Sequence, residues 1–216
     1  MPRNGSATRD RILDSAQRLI LERGFAGTSV DAILAEASVT KGGFFHHFAS
    51  KHALGLALVQ RYAAVDLQAL EDLMAGAEAS SDDPAEQVVA FVRLFEEAVV
   101  ELAEIQAGCL FGSFVYEREL AAPGTEEIIV HSIRTWRERL LAKLEQAAGA
   151  HPPPIDVDLP SLADQVFTAF QGGFILALAT DERDHVRRQL AHVRQYLELL
   201  FQLAPVRGSG VAGVTA

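Results

Sequence analysis

The sequence contains very little cysteine. Among its 216 residues Cys109 is the only one, so no disulfide can form within the chain, and we expect a reducing compartment. The first eleven residues, MPRNGSATRDR, lack the apolar segment of a signal peptide. No apolar run is long enough to predict a membrane span. These absences together predict a cytoplasmic protein that has no membrane partner.

Signatures of catalysis are also absent. The chain has neither a G-x-S-x-G nucleophile turn nor a Walker A phosphate loop. Its one glycine-rich match, Gly208-x-Gly210-x-x-Gly213, neither follows a strand nor opens a helix. Cys109 could act as a redox or electrophile sensor, and the alternative is a small buried apolar residue. We therefore expect no enzyme activity and no cofactor.

The seven histidines do not form a metal-binding pattern. His46 and His47 are adjacent, so on a helix they point about 100° apart and cannot share one ion. His185 and His192 are seven residues apart, with no acidic residue or cysteine between them to complete a site. No metal site is expected.

Positive charge is scarce except at the N-terminus. The formal charge is −10, which alone argues against nucleic acid, but it is unevenly distributed. Residues 1–62 contain eight Lys and Arg against five acids, whereas residues 63–216 contain eleven against twenty-four. A mildly basic head on an acidic body suits a head that meets phosphate while the body avoids it.

Strand-like alternation is missing throughout, and apolar residues recur with helical spacing. A first helix is expected from about Thr8 to Arg23, and Gly24 is placed to end it. A connecting helix is expected from Lys51 to Met74, with Ser50 as its N-cap, followed by a loop over 76–84. Further helical patterns fill the remainder of the body, so we predict an all-α fold.

Two short helices joined by a tight turn are predicted between Ser29 and Phe48. In the first, Val30, Ile33, Leu34 and Ala37 share one face, and Thr28 is the expected N-cap. Thr40 can cap the second. The second helix is expected to anchor an aromatic back in the core and to present a small, basic front, as a major-groove reader does. The back consists of Phe44, Phe45 and Phe48, and the front of Lys41, Gly43, His46 and His47.

This stretch resembles the DNA-binding head of TetR/AcrR-type regulators. The matching residues are Gly24-Phe25-x-x-Thr28-Ser29-Val30-x-x-Ile33, Val39-Thr40-Lys41-Gly42-Gly43-Phe44-Phe45-His46-His47-Phe48, and Ser50-Lys51. The resemblance implies an N-terminal three-helix helix-turn-helix DNA-binding head over residues 6–66. It further implies a C-terminal helical ligand-binding and dimerisation domain over 67–204. Residues 205–216 are expected to form a flexible tail.

By the same resemblance, ten residues are candidates for DNA contact. The family pattern has Ser or Thr at position 43 and Tyr at position 45, so this chain lacks two hydroxyl groups there. Gly43, His46 and His47 are expected nearest the base edges, and Thr28, Ser29, Thr40, Lys51 and Arg9 near phosphates. The full set is Arg9, Thr28, Ser29, Thr40, Lys41, Gly43, Phe45, His46, His47 and Lys51.

The last two predicted helices are candidates for a dimer interface. Val186, Leu190, Val193, Leu197 and Leu200 follow a 4-3-4-3 spacing, the pattern of a helix-bundle seam. The preceding helix has a stripe of small residues, and a glycine there costs about 1 kcal/mol relative to alanine. Such a glycine indicates a close neighbour, either within the chain or in a second copy. The predicted interface adds Phe170, Gly173 and Ala177 to the five seam residues.

Aromatic residues in the body are candidates for a ligand cavity, although an aromatic stripe more often forms core. The resemblance implies a cavity in this domain, and the absence of a basic cluster favours a largely apolar effector. The candidate lining residues are Phe91, Phe95, Cys109, Phe111, Ser113, Phe114, Tyr116, Trp136, Phe170, Gln171 and Phe174.

Together these patterns predict a homodimeric transcriptional regulator, most simply a repressor released from a palindromic, double-stranded DNA operator by a small-molecule effector. The alternative is a small-molecule-binding helical scaffold protein that does not bind an operator. DNA binding separates the two.

Overall fold

The computed structural model describes residues 3–105, 108–117 and 121–203, which form nine α-helices and no strand. The all-α prediction is confirmed, and the predicted tail lies outside the described residues. The helices are α1 (Arg3–Gly27), α2 (Val30–Ala37), α3 (Lys41–His47), α4 (Lys51–Ser80), α5 (Pro84–Ile105), α6 (Leu110–Tyr116), α7 (Thr125–Ala150), α8 (Leu159–Thr180) and α9 (His185–Leu200).

Helices α1 to α3 form a small N-terminal unit that packs against the start of α4. The helical run of α1 is interrupted at Gly24, whose φ of 75° suits a residue without a Cβ. The prediction that the first helix ends at Gly24 is therefore confirmed, and residues 25–29 form the turn that leads into α2. Phe25 then folds back into the core, and its ring lies 5.1 Å from that of Phe114 in α6. This contact joins the N-terminal unit to the body.

Side-chain caps define where α2, α3 and α4 begin. The predicted caps Thr40 and Ser50 are confirmed, because their hydroxyls accept the N–H groups of Gly43 and Ala53, each at 3.1 Å. The prediction of Thr28 as the cap of α2 was wrong. Its neighbour Ser29 accepts the N–H of Ala32 at 3.1 Å, while the buried Thr28 hydroxyl donates to the carbonyl of Gly24 at 2.8 Å.

Helix α4 is longer than its sequence suggested. It continues to Ser80 through the expected loop, because Met74 and Ala77 are buried and Gly76 allows close packing on α5. A Cβ at Gly76 would lie 3.0 Å from the Leu94 side chain. Tertiary packing here outweighs the loop-forming composition.

Helix α8 is 22 residues long with a mean hydropathy of 1.3 over its most apolar window. By length and composition alone it could cross a membrane, contrary to the sequence expectation. This is weak evidence, because the core helix of a soluble protein meets the same criterion, and α8 packs against α7 and α9.

Candidate functional site

The outward face of α3 presents a small group of exposed residues. Lys41, Gly42, Phe45 and His46 lie on it, while Phe44 is fully buried. Phe45 was expected to anchor the helix in the core, but 48% of it is exposed. A seven-residue helix has room for one inward stripe, and Phe44 with the residue after the helix fills it.

The second histidine of the pair is more sheltered than the first. His47 is half-buried, and its ring lies 5.0 Å from that of His46 and 6.4 Å from that of Phe48. Gly5 at the start of α1 also approaches it, because a Cβ built there would lie 3.9 Å from the His47 ring. Of the two, His46 has the freer access to a bound molecule.

Exposed polar residues surround the outward face of α3. Ser29 and Thr40 are exposed at the N-termini of α2 and α3, and Arg9 is exposed on α1, with its guanidinium 5.3 Å from the centre of the Phe48 ring. Thr28 is fully buried, so the prediction that its side chain meets a phosphate does not fit the structure. The remaining positions can meet a DNA backbone that flanks α3.

Lys51 is committed to contacts within the chain. Its ammonium donates to the backbone carbonyl of Phe25 at 2.5 Å and lies 4.4 Å from the centre of the Phe25 ring. Burial lowers the pKa of Lys51, although the nearby charge of Glu117 acts in the opposite direction. The structure thus places Lys51 at the turn between α1 and α2, where it would have to leave these partners to reach a phosphate.

Glu117, at the end of α6, holds the same turn from the body side. Its carboxylate accepts the N–H groups of Phe25 at 3.1 Å and Ala26 at 2.5 Å. Gly24 leaves room for this carboxylate, because a Cβ there would overlap it. Sequence reasoning missed Glu117, since its partners lie more than ninety residues earlier. This contact connects the N-terminal unit to the body directly.

The body contains a partly open cavity of about 650 Å³, lined by residues of α4 to α8 and bordered by α1. Most of its lining is apolar, as is usual for small-molecule sites. Five predicted ligand residues line it: Phe95, Cys109, Phe111, Trp136 and Phe170. The other lining residues are Gln17, Arg61, Tyr62, Val65, Asp66, Ala69, Asp72, Leu73, Ala98, Val99 and Phe167.

A second cavity of about 560 Å³ adjoins the first and shares Cys109, Phe111 and Phe167 with it. The predicted residues Ser113, Tyr116, Gln171 and Phe174 line this one. Two predicted ligand residues line neither cavity. Phe91 is buried behind Trp136, with ring centres 6.0 Å apart, and Phe114 packs against Phe25.

Polar groups in the first cavity occupy two places. Near α1, Arg61 donates to Asp14 at 2.7 Å and to Gln17 at 3.0 Å. Deeper, the indole N–H of Trp136 donates to Asp66 at 2.9 Å. Burial raises the pKa of Asp66 to about 6, although this hydrogen bond works against the shift. Sequence reasoning missed Asp66, which looks like any polar residue on a long amphipathic helix.

Replacing Asp66 with asparagine should stabilise the protein at neutral pH. The folded state holds the Asp66 proton more tightly than the unfolded state, whose carboxyl has a pKa of about 3.9. The contribution of Asp66 to the free energy of unfolding therefore falls between about pH 4 and pH 6 and is constant above that. Above pH 7 the free energy of unfolding of the variant, measured with urea, should exceed that of the wild type by about 2 kcal/mol, and near pH 4 the two should be equal. An equal gain at both pH values would contradict this account.

The lone cysteine lies in the walls of both cavities. Cys109 is buried, and the hydroxyl of Tyr62 lies 3.8 Å from its sulfur. Burial raises the pKa of the Cys109 thiol, whereas reactive cysteines need a lowered one. Its environment favours the apolar alternative over a redox or electrophile sensor.

The predicted dimer residues lie mostly inside a single chain. Gly173 meets α9, since a Cβ there would lie 2.6 Å from the Cα of Val186. Ala177 is half-buried, and the structure buries the other six, Phe170, Val186, Leu190, Val193, Leu197 and Leu200, within one copy. The outward surface of α8 and α9 carries other apolar residues, Leu176, Tyr196 and Leu199, which are 41%, 40% and 77% exposed.

These features define a helix-turn-helix DNA-binding protein with a cavity-bearing helical body. Residues 12–58 match the model of bacterial regulatory proteins of the tetR family, and residues 84–193 match that of the tetracyclin repressor-like C-terminal domain. The chain therefore belongs to the TetR family of transcriptional regulators. Membership supports the regulator prediction over the scaffold alternative.

Similar proteins cover most of the chain. The transcriptional regulator AcuR of Cereibacter sphaeroides is 26% identical over 158 residues, 73% of this chain and 70% of AcuR. The HTH-type transcriptional repressor DhaR of Mycobacterium sp. (strain GP1) is 24% identical over 194 residues, 90% of each chain. A TetR-family regulator from Agrobacterium tumefaciens shares the fold, with a TM-score of 0.74 at 21% identity over 91% of this chain and 99% of that one. These relatives are regulators rather than enzymes.

Proposed function

We propose that the chain is a cytoplasmic, homodimeric repressor that releases a palindromic operator when a small, largely apolar effector enters the first cavity. The position of this cavity carries the proposal. Its wall includes Gln17 of α1 and seven residues of α4 between Arg61 and Leu73. A molecule that fills the cavity therefore touches the junction of the N-terminal unit and the body.

Two contacts can pass a change in the cavity to the N-terminal unit. Arg61 lines the cavity and binds Asp14 and Gln17 of α1. Glu117 holds the turn after α1 and follows α6, whose Phe111 lines the same cavity. An effector that favours one arrangement of these contacts shifts the spacing of the two DNA-binding heads. A coupling of about 1–3 kcal/mol is enough to release DNA at useful effector concentrations.

The proposed DNA contacts follow the exposure of the candidate residues. His46 and Phe45 on the outward face of α3 meet base edges, while Ser29, Thr40, Lys41 and Arg9 meet phosphates. We place the DNA-binding domain at 6–66 and the sensing and dimerisation domain at 67–204.

The second copy is proposed to pack on the outward surface of α8 and α9. Because the seam from Val186 to Leu200 is used within the chain, a second copy can pack on exposed apolar residues of these helices such as Leu176, Tyr196 and Leu199. A two-fold contact of these surfaces would set the distance between two heads, as a palindromic operator requires.

Replacing His46 with alanine should reduce the preference for operator over random duplex by about 1–3 kcal/mol, because a base-edge contact is lost. Replacing Arg9 with alanine should weaken binding to operator and to random duplex alike. It should also reduce the slope of log affinity against log salt concentration by about one unit per half-site. Fluorescence anisotropy against the DNA upstream of its own gene, at several salt concentrations, measures both effects.

His131→Ala serves as the control, since His131 is exposed on α7 in the body. It should bind like the wild type. Loss of sequence preference in the Arg9 variant, with preference kept in the His46 variant, would show that the two roles are assigned wrongly. Absence of specific binding by the wild type to any upstream fragment would refute operator recognition there.

A further inference from the structure

One carboxyl group lies within the apolar walls of the first cavity. Asp66 projects from α4, is half-buried, and accepts the indole N–H of Trp136. An ionised carboxylate in such a place is costly unless a positive charge or several donors compensate it. In the described ranges Asp66 accepts one hydrogen bond, so the protein only partly compensates its negative charge.

No cation of the protein pairs with this carboxylate in the described ranges. The one basic residue that lines the cavity is Arg61, and it is held by Asp14 at 2.7 Å and by Gln17 at 3.0 Å. The other carboxylate at the wall, Asp72, is exposed and accepts a hydrogen bond from Gln68 at 2.9 Å. The cavity therefore offers an incoming ligand a negative charge, while its positive charge is already neutralised.

Aromatic rings surround the same space. The Trp136 ring, whose N–H binds Asp66, lies 5.3 Å from the ring of Phe95, which lies 5.2 Å from that of Phe170. The Tyr62 and Phe111 rings also line the cavity and are 4.9 Å apart. Aromatic faces attract cations, and the attraction grows where water is excluded. Walls of this kind suit both an apolar body and a positively charged group.

We propose that this cavity takes a lipophilic monocation, an apolar or aromatic body bearing one protonated amine, and that Asp66 selects the charge. The amine would donate to the carboxylate oxygen that Trp136 leaves free, and the rings would enclose the carbon atoms. This inference rests on the proposed role of the cavity and goes beyond it, because size and apolarity alone would admit neutral ligands equally. A carboxylate ligand is disfavoured, since it would face Asp66 and would have to displace Asp14 from Arg61.

A matched series of three probes tests the charge. 4-Phenylbutylamine, 4-phenylbutanol and 4-phenylbutanoate share one aromatic body and differ in a single end group, which is positive, neutral or negative at pH 7.5. Trp136 is the only tryptophan of the chain and lines the cavity, so its fluorescence reports binding directly. For the wild type the amine should bind at least about tenfold more tightly than the alcohol, with the carboxylate weakest.

Two variants separate Asp66 from general charge effects. Asp66→Asn keeps the shape and can still accept the Trp136 N–H, and it should lower amine affinity at least about tenfold while changing alcohol affinity less than about threefold. Glu97→Gln removes an equal charge from the exposed face of α5, outside the cavity lining, and should change amine affinity less than about twofold, because exposed charges are screened.

Equal affinity for amine and alcohol in the wild type, or binding of none of the three, overturns the inference. An equal loss for all ligands in Asp66→Asn also overturns it, since Asp66 would then support the cavity and not select charge. The same amine added to the operator complex tests the proposed function separately. Asp66-dependent binding without operator release would uphold the charge selection and refute induction through this cavity.

Discussion

Replacing Gly173 with leucine should destabilise the protein by about 3–5 kcal/mol, because the close approach of α8 and α9 leaves no space for a side chain. A Cβ at this position would lie 2.6 Å from the Cα of Val186 and 3.1 Å from its nitrogen. Both are backbone atoms, so they cannot move aside without shifting α9. Urea unfolding followed by circular dichroism measures the loss.

The neighbouring glycine supplies a matched control. Apart from its chain neighbours and the backbone of its own helix, no atom of the described residues lies within 4 Å of a Cβ built at Gly172. Gly172→Leu should therefore stabilise the helix by up to about 1 kcal/mol, as expected from helix propensity. Similar effects of the two substitutions would show that helix propensity, and not the contact with Val186, determines the change in stability. The pair also distinguishes packing within the chain from packing between copies, since the loss of stability in the Gly173 variant relative to the wild type should be the same at every protein concentration.

Replacing Arg194 with methionine should also destabilise the protein by about 3–5 kcal/mol, because it leaves two buried carboxylates without a positive partner. The Arg194 guanidinium bridges Glu96 of α5 and Glu198 of α9, each at 2.7 Å. The side chains of the two glutamates are only 10% and 11% exposed. The loss should appear as a lower midpoint of urea unfolding at pH 7.5.

An exposed ion pair provides the comparison for this network. Arg139 binds Glu71 at 2.6 Å, and the two side chains are 47% and 52% exposed. Arg139→Met should cost no more than about 1 kcal/mol, because solvent screens such pairs. If both arginine variants lost the same amount, burial of the carboxylates would not be what makes Arg194 important. Partial recovery on adding Glu96→Leu to Arg194→Met would support the account, since one uncompensated charge is removed.

The two stability predictions and the charge-selective cavity concern the same group of helices. Helix α5 lines the cavity with Phe95, and its next residue, Glu96, is held by α9 through Arg194. Helix α8 lines the cavity with Phe170 and packs on α9 through Gly173. The α5 and α8 walls of the cavity are therefore both held by α9.

Local patterns in the sequence were sufficient for the helices and for the helix-turn-helix motif. Short-range signals such as Thr40, Ser50 and Gly24 act within a few residues of their partners, so their roles can be predicted without a fold. One failure was a choice between neighbouring residues. Thr28 and Ser29 are both plausible caps, and burial of Thr28 decided between them.

By itself, the sequence determined the all-α class, the DNA-binding motif and the presence of an apolar body, because helical periodicity and capping depend on residues close in the chain. It did not determine what each apolar face meets. The seam from Val186 to Leu200 turned inward, since periodicity defines a face and not its partner. Only the tertiary structure brought Glu117 to the turn after α1 and Asp66 to Trp136, because these partners are 91 or 92 and 70 residues apart. Contacts at such separations depend on the packing of whole helices, which no local pattern encodes.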